Sequence, residues 1–267
     1  MHIEVDGRRI YAATGGRTFD AAKPVVVFIH GAGQDHTNWQ LPARWFAWHG
    51  HAVLAIDLPG HGRSEGPPLA TVPEMAAWIG RLLAAVDAEA PALIGHSLGA
   101  AIALELAAVP TSRVRRLALL GAAPALPVNA ALLEAARDRP LEAHRLITGW
   151  ALGADAKLGG NAVPGLWLTN ASLALLARNG PGVLATDFAA CTAWQSGLEA
   201  ARRVRCPSLI VIGGKDLMTP PRAGRQLAQH ITGALSVTLA NSGHMLMAEA
   251  PDAVLDALIE FFQPVAA

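Results

Sequence analysis

The chain has 267 residues, of which 52% are hydrophobic and 16% charged, and its 21 Lys and Arg residues balance 21 Asp and Glu residues. A net charge of zero gives no attraction to a phosphate backbone or an anionic bilayer, so the composition argues against nucleic acid and membrane partners. The apolar content is high enough for a full-sized core and excludes a disordered chain.

The N-terminus and the cysteine count bear on the compartment. The first residues include acidic and basic side chains where a secretory signal would need an apolar stretch. No run of about 18 apolar residues is free of charge, Pro or Gly, so we expect no spanning helix and a cytoplasmic location. Cys191 and Cys206 are too few for a metal cluster, and we expect both to be free thiols.

Short β-rich runs bounded by Gly or Pro alternate with helical patterns, which is typical of βαβ units. An edge hairpin is predicted over residues 3–5 and 9–12, which an Asp-Gly turn joins. Buried strands are predicted over residues 25–29, 53–56, 93–94, 117–120, 209–212 and 237–239. Helices are predicted over residues 39–49, 72–87, 98–109, 223–229 and 251–262. The pattern predicts a doubly wound α/β fold with a mostly parallel sheet of about eight strands.

The alternation of strands and helices stops in the middle of the chain. Over residues 122–200, helical patterns follow one another and are interrupted only by Pro and Gly. A strand pattern resumes after Arg205-Cys206-Pro207. We therefore predict one core domain, formed by residues 1–121 and 201–267, with a helical insertion of residues 122–200.

A candidate nucleophile lies in Gly95-His96-Ser97-Leu98-Gly99, between a predicted strand and a predicted helix. This is the G-x-S-x-G pattern in its strand–turn–helix context. The turn forces the serine into a strained backbone conformation, and glycines on either side avoid collisions with neighbouring elements. The pattern predicts Ser97 as the nucleophile.

A serine hydroxyl is a weak nucleophile and needs a base, which in turn needs an orienting acid. Asp216 follows the strand predicted over residues 209–212, and His244 follows the strand predicted over residues 237–239. The order Ser97, Asp216, His244 is the nucleophile, acid, base order of hydrolases built on a doubly wound sheet.

Other polar residues compete for these roles. We expect His30 and His61, which lie beside glycines in turns, to hydrogen-bond to the backbone, and His96 to point away from the nucleophile. Asp57 also ends a strand, but it precedes Ser97, and we expect it to fix its own turn. The strand predicted over residues 117–120 is followed by no carboxylate that could replace Asp216.

Acyl transfer needs donors placed where the oxyanion develops. The first would be the backbone N–H of Leu98, next to the nucleophile. The second should come from His30-Gly31-Ala32-Gly33, whose small residues allow a close approach to substrate. Ala32 is the predicted donor and Gly33 the alternative.

Together these motifs identify a resemblance to the α/β-hydrolase fold family. The segments that carry it are His30-Gly31-Ala32-Gly33, the loop Asp57-Leu58-Pro59-Gly60-His61-Gly62-Arg63-Ser64, Gly95-His96-Ser97-Leu98-Gly99, Gly214-Lys215-Asp216 and Gly243-His244. The resemblance implies a mostly parallel sheet with a helical cap inserted after the sixth strand, in agreement with the insertion of residues 122–200.

This sequence differs from some members of the family at the serine turn, and the differences reduce the number of reactions expected of it. Relatives that open epoxides or displace halide carry an Asp nucleophile, whereas position 97 is Ser. Carbon–carbon bond hydrolases often have Asn before the serine and cofactor-free haloperoxidases often have Phe, whereas position 96 is His. The pentapeptide resembles those of carboxylesterases, lactonases and hydrolases of thioesters or methyl esters.

The predicted cap is rich in apolar residues, so we expect it to cover the substrate with an apolar surface. Trp150, Trp167 and Trp194 lie in the cap, and Trp39 follows the segment His30-Gly31-Ala32-Gly33. These four tryptophans and Gly33 are the predicted substrate-binding residues. No cluster of Arg or Lys indicates a phosphate site. The predicted chemistry needs no metal and no organic cofactor.

The sequence thus predicts a serine hydrolase that cleaves a carboxylic ester, lactone or thioester of a small to medium, partly apolar molecule through an acyl-enzyme. Two alternatives stay open: a C–C bond hydrolase of a dienoic diketone, and a small-molecule receptor that retains the triad with little turnover. The predicted partner is the small-molecule substrate, and a homo-oligomer is compatible with the sequence.

Overall fold

The computed structural model describes residues 1–160 and 165–263. Its strands are β1 His2–Val5, β2 Arg8–Ala13, β3 Val25–Ile29, β4 Ala52–Ile56, β5 Ala92–His96, β6 Arg116–Leu120, β7 Ser208–Gly213 and β8 Leu235–Leu239. Within the described residues they form one eight-stranded sheet in the order β1-β2-β4-β3-β5-β6-β7-β8. The β1–β2 and β2–β4 pairs are antiparallel and the remaining pairs parallel, so the predicted fold class is confirmed.

Helices cover both faces of the sheet and form the insertion. A 3₁₀ turn, His36–Trp39, precedes the first of them. The helices are α1 Gln40–Trp48, α2 Val72–Ala85, α3 Leu98–Ala107, α4 Ala130–Asp138, α5 Pro140–Ala151, α6 Ala154–Lys157, α7 Leu168–Leu176, α8 Val183–Ala193, α9 Gly197–Arg203, α10 Pro221–His230, α11 Leu246–Glu249 and α12 Pro251–Phe262. Each described helix is too short or too polar to cross a membrane.

The central strands are apolar on both faces because helices pack on both. Residues of α2, α3, α9 and α10 join one core cluster, and residues of α1, α11 and α12 join the other. Every residue of β3, β4, β5 and β7 is buried. The prediction of a buried strand over residues 237–239 is wrong, since all residues of β8 are exposed or half-buried; β8 is an edge strand with one neighbour.

The insertion between β6 and β7 is helical, as the sequence predicts, and helices α4, α5, α7 and α8 share their own apolar cluster. Its predicted end at residue 200 falls inside α9 and needs correction. Ala200 and Ala201 are fully buried in the core cluster, and the Gly197 N–H donates to the Pro124 carbonyl over 3.1 Å. The two ends of the insertion therefore meet at Pro124 and Gly197. Residues 161–164 of the predicted insertion and 264–267 of the predicted core lie outside the described residues.

Candidate active site

Ser97 lies in a tight turn between β5 and α3, with φ 54° and ψ −117°, a region that non-glycine residues rarely adopt. The turn is crowded. A Cβ on Gly95 would lie 2.2 Å from the Gly99 carbonyl oxygen, and one on Gly99 would lie 2.2 Å from the Ile29 carbonyl oxygen. The Ser97 N–H donates to the Leu120 carbonyl over 3.0 Å, which ties the turn to β6.

His244 and Asp216 meet in the loops after β8 and β7. His244 Nδ1 lies 2.7 Å from Asp216 Oδ2, and Asp216 Oδ1 accepts hydrogen bonds from the backbone N–H groups of Met218 and Thr219 at 2.8 and 2.9 Å. Burial alone would raise the pKa of the Asp216 carboxyl. The His244 charge and these hydrogen bonds outweigh burial and leave that pKa below its usual value. Asp216 is therefore an ionised acceptor behind the imidazole.

The His244 imidazole shares one cavity with Ser97. The backbone N–H of His244 donates to the Ala151 carbonyl at the end of α5, over 2.7 Å. The cap therefore helps to hold the loop that carries His244. Gly121, directly after β6, leaves room for the ring, since a Cβ there would lie 3.1 Å from His244 Cε1. The fold thus places His244 in contact with Asp216 and in the same cavity as Ser97.

The two predicted oxyanion donors are available. Among the hydrogen bonds of the described residues, none uses the N–H of Ala32 or Leu98, and Ala32 lines the cavity. Gly33, the alternative donor and a predicted substrate-binding residue, is corrected on both points. Its N–H donates to Asp187 Oδ2 over 2.8 Å, and it does not line the cavity.

The predicted roles of the four tryptophans are corrected too, because none of them lines the cavity that contains Ser97. Trp39 is fully buried in the core cluster that includes residues of α1. Trp194 is buried, and its Nε1 donates to Glu105 Oε1 on α3 over 2.7 Å. Trp167 is 61% exposed, and Trp150 packs against the apolar cluster of the cap.

The cavity wall comes from aliphatic, Phe and Met side chains that the sequence did not single out. They include Leu126, Val128, Ile147, Leu176, Phe188 and Met218. Two signals could have found part of this wall. Leu126 and Val128 follow β6 at the carboxyl edge of the sheet, where ligands of open α/β sheets bind, and Met218 is two residues from Asp216.

Two buried histidines act as the sequence predicts. His30 Nδ1 donates to the Gly31 carbonyl over 2.8 Å, and its Nε2 accepts from the Leu58 N–H over 3.1 Å. Burial, with help from the nearby His61, lowers the pKa of His30 to about 4. His96 Nε2 donates to the His244 carbonyl over 2.9 Å. Burial and the neighbouring His244 lower the pKa of His96 to about 3, so neither ring is charged at neutral pH.

Asp57 fixes its turn, as predicted. Its Oδ1 accepts a hydrogen bond from the backbone N–H of His36 over 2.8 Å, and its Oδ2 accepts one from the backbone N–H of Arg63 over 2.9 Å. The expectation for His61 is incomplete. Its Nδ1 lies 3.0 Å from the Pro59 carbonyl oxygen, but its Nε2 lies 2.9 Å from the carboxylate of Asp187 in the cap. The sequence offers no signal for this second contact, because the two residues are far apart in the chain.

One group of side chains has the donor set of a metal site. Asp35, His36 and Asp57 bring ligand atoms within 4.8 Å of one another. These atoms already have protein partners, however. His36 Nδ1 lies 2.8 Å from Asp57 Oδ1, and Asp35 is paired with Arg178. The group is therefore accounted for as a hydrogen-bonded connection between the turn and the cap.

Both cysteines are free, as predicted. Cys191 lines the same cavity as Ser97, which makes it a competing nucleophile on position alone. Burial raises the pKa of the Cys191 thiol far above its usual value. Because the thiolate is the reactive form, Cys191 does not compete with Ser97.

Comparison with known proteins supports the same family. The model of the alpha/beta hydrolase family matches residues 26–257. The chain is 31% identical over 242 residues to the pimeloyl-[acyl-carrier protein] methyl ester esterase of Neisseria meningitidis, covering 84% of this chain and 88% of that protein. Such relatives confirm the prediction of a carboxylic ester hydrolase type of enzyme.

Solved structures show the same fold. The enol-lactonase from Burkholderia xenovorans LB400 superposes with a TM-score of 0.87 at 24% identity, over 98% of this chain and 99% of that one. An esterase from Exiguobacterium antarcticum gives a TM-score of 0.82 at 19% identity, with 98% of each chain covered. The family match over most of the chain, the sheet and the serine turn agree: the chain belongs to the alpha/beta hydrolase family.

Proposed function

We propose that this alpha/beta hydrolase cleaves a carboxylic ester, lactone or thioester of a small to medium, partly apolar substrate, with Ser97 as nucleophile, His244 as base and Asp216 as orienting acid. The contact of 2.7 Å between His244 Nδ1 and Asp216 Oδ2 carries the proposal. It directs the other ring nitrogen, Nε2, away from Asp216 on an imidazole that shares its cavity with Ser97.

The reaction follows from these positions. His244 Nε2 takes the proton of Ser97 Oγ as the oxygen attacks the carbonyl carbon, and the Leu98 and Ala32 amides bind the resulting oxyanion. The tetrahedral intermediate collapses, the bond to the leaving group breaks, and His244 returns the proton to the leaving group. A water molecule, deprotonated by His244, then hydrolyses the acyl-enzyme and releases the acid and Ser97.

The cavity wall supports an uncharged acyl group. Among the described residues that line it, none is Lys, Arg, Asp or Glu. A substrate carboxylate or phosphate held there would lose its hydration without gaining a charged partner, which is costly. Apolar side chains such as Leu176 and Phe188 instead fit an aliphatic chain. The methyl ester and enol-lactone activities in the names of related proteins are hydrolyses of the same bond type.

The test compares two serines of the cavity in otherwise identical protein. Ser97→Ala should abolish labelling by a fluorophosphonate probe and lower turnover of p-nitrophenyl esters by about 10⁴-fold or more. Ser172→Ala, which changes a second serine that lines the cavity, in α7, should keep labelling and stay within a few-fold of wild-type turnover.

The acyl groups of the ester panel run from acetate to octanoate, with a succinate monoester as the charged member. We expect the neutral chains to be preferred. Labelling that persists in Ser97→Ala would identify another nucleophile and overturn the proposal. A single slow cycle per molecule of wild-type protein would instead favour the receptor alternative.

A further inference from the structure

The loop of residues 30–35, called here the oxyanion loop, is held partly by the cap. Asp187, on α8, is fully buried. Its Oδ2 accepts a hydrogen bond from the Gly33 N–H over 2.8 Å and lies 2.9 Å from His61 Nε2. One carboxylate oxygen of the cap thus connects two loops of the core.

Hydrogen bonds on both sides of Ala32 determine the direction of its backbone N–H. In a trans peptide the C=O and N–H groups point in opposite directions, so the Gly31 carbonyl and the Ala32 N–H are opposed. The Gly31 carbonyl faces His30 Nδ1 at 2.8 Å and the Gln34 N–H at 3.2 Å. On the other side of Ala32, the next peptide plane is held by the bond from Gly33 to Asp187. Ala32 is therefore bracketed by two anchored planes, and the cap anchors the second.

Asn179, another residue of the insertion, strengthens this arrangement. Its Nδ2 donates to the Gly33 carbonyl over 2.6 Å, and its Oδ1 accepts from the Gly62 N–H over 3.1 Å. Both polar groups of Gly33 are therefore bound to residues of the insertion.

Stability alone explains Asp187 poorly. Its second oxygen, Oδ1, is buried and has no hydrogen-bond partner among the described residues. Burying a carboxylate with one oxygen unsatisfied is costly, and an apolar residue of similar size would avoid that cost. A role in placing the oxyanion loop accounts for a charged residue here.

The protonated ring of His61 supplies the positive charge that pairs with the Asp187 carboxylate. Its two ring nitrogens face two acceptors, the Pro59 carbonyl and the Asp187 carboxylate, and only the imidazolium can donate to both. Burial by itself lowers the pKa of His61, but the Asp187 charge and hydrogen bond outweigh it and raise that pKa.

We infer that Asp187 is a positioning residue of the cap, which holds the oxyanion loop through Gly33 so that the Ala32 N–H points at the carbonyl oxygen of the substrate. The inference rests on the proposed function. It assigns to the cap a part in transition-state stabilisation in addition to covering the substrate.

The test uses full-length Asp187→Ala, Asp187→Asn and Trp194→Phe. Asp187→Ala removes the acceptor, so we expect kcat to fall roughly 10- to 100-fold with KM within about threefold of wild type. Asp187→Asn keeps a carbonyl oxygen for the Gly33 N–H and should recover most of kcat. Trp194→Phe removes a partly buried hydrogen bond between the insertion and Glu105, away from the oxyanion loop, and should leave kcat unchanged.

A second readout separates positioning from general damage to the fold. A trifluoromethyl ketone forms a tetrahedral adduct with an oxyanion, so its affinity should fall in Asp187→Ala in parallel with kcat/KM, whereas affinity for the neutral product alcohol should not. If Asp187→Ala does not fold, as judged by circular dichroism, Asp187→Leu replaces it, because leucine fills the site without a charge.

Wild-type kcat in the folded variant that lacks the acceptor would overturn the inference. So would equal losses of affinity for the ketone and the alcohol. Neither result would affect the proposed function, which is tested separately by the activity of Ser97→Ala and by the turnover of the wild-type protein.

Discussion

The serine turn and the cap use glycine for different reasons. At the turn, a Cβ on Gly95 or Gly99 would lie 2.2 Å from a backbone oxygen that cannot move aside. In the cap, a Cβ on Gly149 or Gly180 would meet no atom within 4 Å other than those of its chain neighbours and its own helix backbone. The turn thus requires glycine at both positions because backbones meet there, whereas these two positions inside the cap do not require it.

This difference explains why the two regions differ in predictability. A close backbone approach permits one residue type, so it leaves a motif in the sequence. Side-chain packing permits many apolar combinations. The cap cluster that includes Leu132, Ile147 and Phe188 could be built from other residues of similar volume, and therefore shows no fixed pattern.

The largest expected effect compares the same substitution in the two regions. Gly99→Ala should destabilise the protein by about 3 kcal/mol or more, because the new methyl group overlaps the Ile29 carbonyl and the backbone must shift. A displaced Ser97 should lower kcat about 100-fold or more. Thermal unfolding and ester hydrolysis measure both quantities.

Gly149→Ala is the matched change in the cap. Gly149 lies inside α5, where alanine is favoured over glycine by roughly 0.5–1 kcal/mol. We expect equal or higher stability and unchanged kcat. The distinction between the two regions is wrong if the two variants lose similar stability.

Prediction from sequence succeeded where local geometry restricts the residue type. The central strands, the serine turn and the loop positions of Asp216 and His244 follow from strand ends and glycine spacing. The interpretation of the tryptophans failed because a large aromatic residue in a cap fits a core, a surface or a pocket equally well. Trp194 is buried and Trp167 is exposed, and no local pattern separates these environments. The contact between Asp187 and His61 depends on tertiary packing alone.

The next expected effect concerns two aromatic residues of the cap. Phe188 lines the cavity, whereas Trp167 lies outside it and is largely exposed. Phe188→Leu should lower kcat/KM for the preferred ester roughly 10-fold, because a changed apolar wall alters contacts with the acyl chain, and should shift the preference towards bulkier acyl groups. Steady-state kinetics on the panel of p-nitrophenyl esters measure both changes.

Trp167→Leu is the control with the same replacement residue. It should leave the profile of acyl-chain preference unchanged within about twofold, as expected for an exposed residue. An altered profile in Trp167→Leu with an unchanged one in Phe188→Leu would place the substrate on the outer surface of the cap.

The smallest expected effect is a pH dependence of the free energy of unfolding, which arises where His61 of the core contacts Asp187 of the cap. Because the pKa of His61 is raised in the folded protein, the folded state binds its proton more tightly than the unfolded state, whose imidazole has a pKa of about 6.5. The contribution to the free energy of unfolding is then fully present below about pH 6.5 and is lost as pH rises through the folded pKa. We expect the stability difference between wild type and His61→Gln to fall over this range in urea titrations at several pH values.

The difference in stability between wild type and His61→Gln removes the contributions of groups that titrate in the same way in both proteins. His30, with its ring 4.9 Å from that of His61, has a pKa of about 4 and is neutral over the range. Asp57 also favours the charged form of His61, but its pKa is lowered, so its charge is constant there. Asp187→Asn should abolish most of the slope, since it removes the charge that outweighs burial. A difference that rises with pH would mean that burial dominates at His61, and that the cap and the oxyanion loop are joined by a neutral hydrogen bond.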